Sequence, residues 1–284
     1  MSGWYRAPLT PMLFTRWAVS LPLGSQRVEK DRLLRQAAEL AAANAALVDR
    51  ASLPLGAAAI DLGCGPWGIV DLLADRVGSQ GRIVGLDADP SLVAMARELV
   101  ADRALANVEI LLGDARHTGL DSGSFDMVHA RTLLINVPEP EQVVHEMVRL
   151  AKPGGWVLSF EPDCEPSICY PPDSAYQRLL EIFPQMFTRN GADWRIGRRV
   201  AELYRRAGLV DVQVEVRSDI YPKGHTRRTI RVDLIRSMRQ YVVELGLARE
   251  HELDQLFAAA LEHLDDPHTI VMPSLNFLVS GRKR

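Results

Sequence analysis

From residue 57 onward the apolar positions fall into short runs, separated by longer stretches with helical spacing. Residues 57–62, 82–87, 108–112 and 125–130 each carry a compact apolar run of strand length. Between or after them, residues 69–77, 90–103 and 139–151 repeat apolar residues at intervals of three and four, and Pro90 opens the second of these segments. Lys152-Pro153-Gly154-Gly155 predicts a turn into a fifth strand over 156–160. Strands alternating with helices in this way predict a parallel sheet with helices on both faces.

The flanks read differently. Upstream, Leu33, Leu34, Ala37, Ala38, Leu40, Ala41 and Leu47 predict an alanine-rich helix over 26–50, stopped by Pro54 and Gly56. Downstream, residues 198–207 predict a helix, and Val212, Val214 and Val216 alternate at the strand period within 210–217. A last strand is expected over 275–281. Residues 218–272 are mostly helical and too long for a plain connection, which predicts a lid. Residues 162–192 form a second insertion and carry five prolines. The predicted division is therefore a helical cap at 1–50, a core at 51–161, an insertion at 162–192, core again at 193–217, a helical lid at 218–272 and a final core strand at 273–284.

Composition narrows the function classes without selecting one. The 284 residues are 47% hydrophobic and 24% charged, enough to bury a sizeable core without staples. A net charge of -3 and an aromatic content of 6% speak against nucleic acid as partner. Cys64, Cys164 and Cys169 form no paired spacing, which suits a reducing, cytoplasmic setting. No stretch approaches a membrane span, and no membrane partner or metal is expected.

The sharpest local signal is Asp61-Leu62-Gly63-Cys64-Gly65-Pro66-Trp67-Gly68, where a buried strand turns into a helix. Glycines there let backbone approach a ligand. Read as Gly63-x-Gly65-x-x-Gly68, with Asp87 ending the next strand, it fits a dinucleotide fingerprint. Two details oppose pyrophosphate. Pro66 has no N–H to donate, and the Asp61 carboxylate would repel phosphate while attracting an ammonium group. Ribose, adenine and an amino acid describe the ligand better.

Further motifs follow in order: Val84-Gly85-Leu86-Asp87, Leu112-Gly113-Asp114-Ala115, Ser124-Phe125-Asp126-Met127-Val128 and Leu150-Ala151-Lys152-Pro153-Gly154-Gly155. With the glycine loop they cover roughly 55–162, and jointly they resemble a class I S-adenosylmethionine-dependent methyltransferase of the bacterial small-molecule type. The resemblance implies a doubly wound, mostly parallel seven-stranded Rossmann-like sheet, with S-adenosylmethionine as cofactor. It implies cofactor contacts from Asp61, Gly63, Cys64, Gly65, Asp87, Ala88, Asp114, Ala115, Ala130 and Arg131. Asp87 would hold the ribose hydroxyls, Asp114 the adenine amino group, and the Ala115 N–H a ring nitrogen. The family's third loop glycine would fall at Trp67, whereas here Gly68 comes one residue later. Trp67 therefore reads either as a wall of the site or as core filling.

Methyl transfer from a sulfonium needs alignment and exclusion of water more than any fixed catalytic motif. His129, after the fourth strand, is the candidate general base. Trp67, Glu161, Tyr170, Tyr221 and His225 are candidates for the acceptor pocket. The arginines at 227, 228, 231, 236 and 239 read as a solvated helix face balanced by Glu244, Glu250 and Glu252, with an anion-binding role as the second reading. Trp17 to Arg27 is expected to fold over the cofactor. The reading is thus a methyltransferase for an O, N or C nucleophile of a small organic molecule, with a homodimer compatible. A nicotinamide-dependent oxidoreductase and a non-catalytic cofactor-binding protein stand as alternatives.

Overall fold

The structure, a computed structural model, describes residues 34–35, 37–189 and 191–284. The segment expected to cover the cofactor, Trp17 to Arg27, lies outside the described residues. Seven strands form the central sheet: β1 (Ala58–Leu62), β2 (Arg82–Asp87), β3 (Val108–Leu112), β4 (Phe125–Arg131), β5 (Ala151–Asp163), β7 (Val210–Arg217) and β9 (Leu275–Arg282). Their spatial order is β3-β2-β1-β4-β5-β9-β7. The first five run parallel, and β9 lies antiparallel between β5 and β7. This is the doubly wound, mostly parallel sheet expected from the sequence, with its strand order reversing beside β1, where open sheets of this kind bind ligands.

The helices divide between the two faces. On one, α1 (Ala41–Asp49), α2 (Val70–Val77) and α3 (Pro90–Asp102) bury Leu47, Val48, Leu73, Val77 and Val93 against Ala59, Met127 and Leu158. Asp89 caps α3, accepting the N–H groups of Ser91 and Leu92, and Pro90 occupies the first turn. On the other face, α4 (Pro140–Leu150) and α6 (Val200–Arg206) bury Val143, Met147, Leu203 and Tyr204.

Two details depart from the sequence expectation. The turn at 152–155 lies within β5: Phe125 pairs with Ala151 but Met127 with Trp156, so the intervening residues form a bulge. Asp126 secures the same region, accepting the Ala58 N–H and the Lys152 ammonium group, each at 2.8 Å. The valine alternation in β7 does not mark a buried face. Val214 and Val216 are exposed because β7 is an edge strand, while Val212 packs inward after a register shift at its start.

The insertions after β5 and after β7 meet each other. The first contributes β6 (Ile168–Tyr170) and α5 (Ser174–Thr188); the second contributes α7 (Ile230–Ser237), α8 (Arg239–Glu244), α9 (Glu250–Asp265) and β8 (Ile270–Met272). β6 and β8 pair antiparallel as a separate two-stranded sheet. Tyr176, Leu179 and Phe183 of α5 share one core with Val232, Ile235, Leu253 and Phe257, continuous with the face covered by α4. Helix α5 is amphipathic, and the second insertion covers its apolar side. The cap is anchored where β5 ends and β9 begins, at the carboxyl edge of the parallel strands.

Candidate active site

The loop after β1 is held almost entirely by its own hydrogen bonds. Gly63 and Cys64 donate their N–H groups to the Leu86 carbonyl at 2.8 and 3.1 Å. Gly65 donates to Asp87 Oδ2 at 2.8 Å, and Ile69 to Asp61 Oδ2 at 3.0 Å. Pro66 has no N–H. The loop therefore offers no converging free donors at these positions, as a pyrophosphate cradle would require. What it does offer is room: a Cβ on Gly65 would meet no heavy atom within 4 Å. Gly68 is required for a different reason. Its φ is +53°, and a Cβ there would lie 2.1 Å from Asp61 Oδ2.

Asp61 is fully buried, and both its oxygens have partners inside the protein. In the sheet it lies beside His129, its register partner on β4, so both side chains project from the same face. His129 Nδ1 is 2.7 Å from Asp61 Oδ1, while Nε2 is buried without a hydrogen-bond partner among the described residues. Asp61 thus orients the imidazole and closes the glycine turn. The expected engagement with an ammonium group would have to share these oxygens.

Arg131 follows on the same face, with Nη1 buried and unbonded among the described residues. Burial pulls its guanidinium below the ordinary arginine range; Asp61 acts in the opposite sense, and Arg227 adds to the lowering. Ala130, between the two, is fully buried.

Asp87 ends β2 with Oδ2 on the Gly65 N–H and Oδ1 on the Asp89 N–H at 2.9 Å. Burial pushes its carboxyl up, against the pull of these donors. Two acceptor directions remain on the carboxylate beside the open side of Gly65, which suits a vicinal diol. Ala88, next in the chain, is exposed. Cys64 is buried, and burial raises its thiol well above the usual value, so it is a packing residue. Asp114 is held by Arg116, whose guanidinium bonds both carboxylate oxygens, the shortest contact being 2.6 Å. Burial works to raise that carboxyl, but Arg116 keeps it below the ordinary range. Ala115 is buried just behind it.

The residues expected to line an acceptor pocket are dispersed. Trp67 is 6% exposed, donates its ring N–H to Asp71 at 2.9 Å and carries the Arg103 guanidinium 4.4 Å over its face. It fills the core between sheet and helices rather than walling the site. Glu161 is also structural: its carboxylate accepts the N–H groups of Leu133, Leu134 and Ile135 at 2.8, 2.9 and 3.2 Å. It thereby caps the short 3₁₀ turn after β4, and burial raises its carboxyl to about 8. Tyr170 is 63% exposed on β6 and lines nothing buried. Tyr221 and His225 stack on each other, 4.5 Å between ring centroids, and His225 Nδ1 accepts the Arg227 N–H.

The arginine cluster is where the sequence reading needs most correction. Arg236 is exposed and Arg239 pairs with Glu250 and Asp254, as a solvated face would. Arg228 and Arg231 are each 2% exposed. Arg227 pairs with Glu39 at 3.3 Å, and Thr226 Oγ1 also bonds Glu39, which joins the second insertion to the N-terminal helix. The missed signal was spacing: Arg228, Arg231 and Ile235 recur at three and four residues, the period of a buried stripe.

The fold and the acid-lined glycine loop define a class I S-adenosylmethionine-dependent methyltransferase domain. The family described as Methyltransferase domain matches residues 60–159 of this core. Among curated relatives, an uncharacterized 37.1 kDa transposon protein of Streptomyces fradiae is 34% identical over 155 residues, covering 54% of this chain and 44% of that protein. Demethylmenaquinone methyltransferase of a Geobacillus strain is 29% identical over 179 residues, covering 58% of this chain and 76% of the relative. Among solved structures, phosphoethanolamine N-methyltransferase 2 of Haemonchus contortus aligns with a TM-score of 0.55 at 18% identity, over 84% of this chain and 52% of that one. The chain thus spans about half the length of that enzyme and less than half of the Streptomyces protein.

Proposed function

We propose that the protein transfers the methyl group of S-adenosylmethionine to a nucleophilic O, N or C atom of a small organic molecule, releasing S-adenosylhomocysteine. The observation that carries this reading is the state of the glycine loop. Its N–H groups at Gly63, Cys64, Gly65 and Ile69 are bonded internally, Pro66 has none, and acids flank it at Asp61 and Asp87. Such a seat repels pyrophosphate and favours a ribose diol and a cation, which weighs against a nicotinamide dinucleotide. The demethylmenaquinone methyltransferase similarity supports an acceptor of small-molecule type.

When bound, the cofactor supplies a sulfonium that makes its methyl group electrophilic. The chain's residues do the rest. Asp87 orients the ribose, the open side of Gly65 lets the ligand approach the backbone, and Asp114 with Ala115 edges the adenine. Arg131 Nη1, buried and without a hydrogen bond among the described residues, takes the carboxylate of the amino-acid portion. Asp61 fixes the Nδ1 side of His129, leaving Nε2 as the atom to accept a proton from an O–H or N–H acceptor. The cap contributes water exclusion at the carboxyl edge of β4 and β5.

The test is a set of thermal shifts with S-adenosylmethionine, S-adenosylhomocysteine and NADH. Stabilisation by the two sulfur ligands is expected. Stabilisation by NADH alone overturns the reading.

A further inference from the structure

Two arginines of the cap lie at equal depth, but only one has all its guanidinium nitrogens occupied. Arg228 donates from Nε to the Leu264 carbonyl, from Nη1 to Tyr221 and from Nη2 to Asp266, at 2.8–2.9 Å. Leu264 and Asp266 lie at the carboxyl end of α9, where the helix dipole presents negative potential to the cation. Arg228 is a staple with its charge answered.

Arg231 is different. Its Nη2 donates to the carbonyls of Cys164, at 2.8 Å, and Pro273, at 2.6 Å, which ties α7 to the end of β5 and the start of β9. Its guanidinium stacks 4.1 Å from the Phe183 ring. Nη1 is buried and bonds nothing among the described residues, and no carboxylate of those residues pairs with Arg231. Neither carbonyl belongs to a helix end. A buried guanidinium without counter-charge costs several kcal/mol, unless an anion arrives to answer it.

A second buried group stands beside it. Tyr176, on the same side of α5 as Phe183 and two turns earlier, is fully buried, and its hydroxyl has no hydrogen-bond partner among the described residues. Arg231 is near enough to act electrostatically on that hydroxyl and on the Cys164 thiol. Burial holds the Tyr176 hydroxyl up at about 12, so it remains a neutral O–H donor. One cationic N–H, one O–H and an aromatic face are thus buried within electrostatic reach of one another, near the carboxyl end of β5. In the sheet, β5 is two strands from β1, about 10 Å at the usual strand spacing. That separation sets the group apart from the glycine loop.

We propose that Arg231 and Tyr176 form an oxyanion site for the acceptor, so that the acceptor carries a carboxylate or phosphate away from its nucleophilic atom. The inference rests on the methyltransferase reading of the same cleft, and it deepens that reading by giving the acceptor a charge. A single guanidinium edge plus one hydroxyl suits one anionic group, and the Phe183 ring stacked behind the planar guanidinium restricts its orientation.

The test uses the full-length protein saturated with S-adenosylhomocysteine, and calorimetry with four probes: 4-hydroxybenzoate, its neutral analogue 4-hydroxybenzamide, phenyl phosphate and inorganic phosphate. At least one anion is expected to bind at least tenfold more tightly than the neutral amide. Y176F, which leaves the carbonyl ties of Arg231 intact, and R231K, which keeps the charge but loses the fork, should each weaken that anion at least tenfold. Affinity for S-adenosylhomocysteine should stay within twofold in both. Tight binding of phenyl phosphate but not 4-hydroxybenzoate assigns a phosphate, and the reverse a carboxylate. No anion saturating below about 10 mM overturns the proposal, as does an anion preference that survives both substitutions. Failure of S-adenosylhomocysteine itself to bind would instead defeat the cofactor reading, so the two failures are distinct.

Discussion

Replacing Asp87 with asparagine tests the link between loop geometry and cofactor directly. The carboxylate accepts one backbone N–H on each oxygen, Gly65 at 2.8 Å and Asp89 at 2.9 Å, and keeps one further acceptor direction per oxygen for the ribose hydroxyls. Asparagine retains one acceptor oxygen. Its amide group turns a donor towards either Gly65 or Asp89 and towards one of the hydroxyls. The variant loses charge assistance on one ribose bond and the other bond altogether, which sums to about 2–4 kcal/mol of binding. That corresponds to roughly 30-fold to 1000-fold in Kd for S-adenosylmethionine, measurable by calorimetry. A pH series adds a second readout. Burial raises the Asp87 carboxyl, so in wild type protonation competes with ribose binding and affinity falls as the medium becomes acidic. The asparagine variant should show no such component. A Kd within threefold of wild type, in a folded variant, would refute the assignment.

Two further outcomes follow from the buried acids and the imidazole. Glu161→Gln leaves at least one of three N–H donors without an acceptor and should cost about 1–3 kcal/mol in urea unfolding. Because the folded Glu161 carboxyl sits at about 8 against an ordinary 4.5, its contribution is full below about pH 4.5 and is lost as pH rises through 8; the wild-type advantage should narrow from pH 5 to pH 9, and parallel stability curves would sink the argument. His129→Gln keeps the contact with Asp61 but removes the proton acceptor, so turnover of an O–H or N–H acceptor should drop about 10²-fold or more with little change in cofactor affinity. Unchanged turnover and pH profile would remove His129 from the chemistry.

The acid-lined loop also shows why a fingerprint can mislead when read by spacing alone. Gly63, Gly65 and Gly68 stand at dinucleotide intervals, yet Gly68 serves the Asp61 carboxylate, and the Gly65 N–H is already used by Asp87. The same three glycines can serve pyrophosphate or exclude it. The difference is which acceptors lie within hydrogen-bond reach.

The cap joins parts of the chain that are distant in sequence. Glu39, before α1, meets Thr226 and Arg227 of the second insertion, while Arg178 of α5 pairs with Glu252 of α9. Among the described residues, no helix is long and apolar enough to cross a membrane.

The alternation of strands and helices from 57 to 160 could be read from the chain because it is local: apolar spacing selects strand or helix, and glycine or proline marks where each ends. Asp87 at a strand end and the acid-flanked glycine loop were legible for the same reason. The roles of Glu161, Trp67 and the arginines were not. Glu161 looked like a pocket acid until three N–H groups from residues 133–135 were seen to converge on it. Trp67 read equally as wall or core until its ring N–H was found on Asp71. Arg231 looked solvated until two insertions, separated by the core residues 193–217, closed over it. A side chain's chemistry is set by burial and by its partners, and for these residues the partners are remote in sequence. The glycine loop and its acids were written locally. The burial of Arg231 and Tyr176 was decided only when the two insertions packed together.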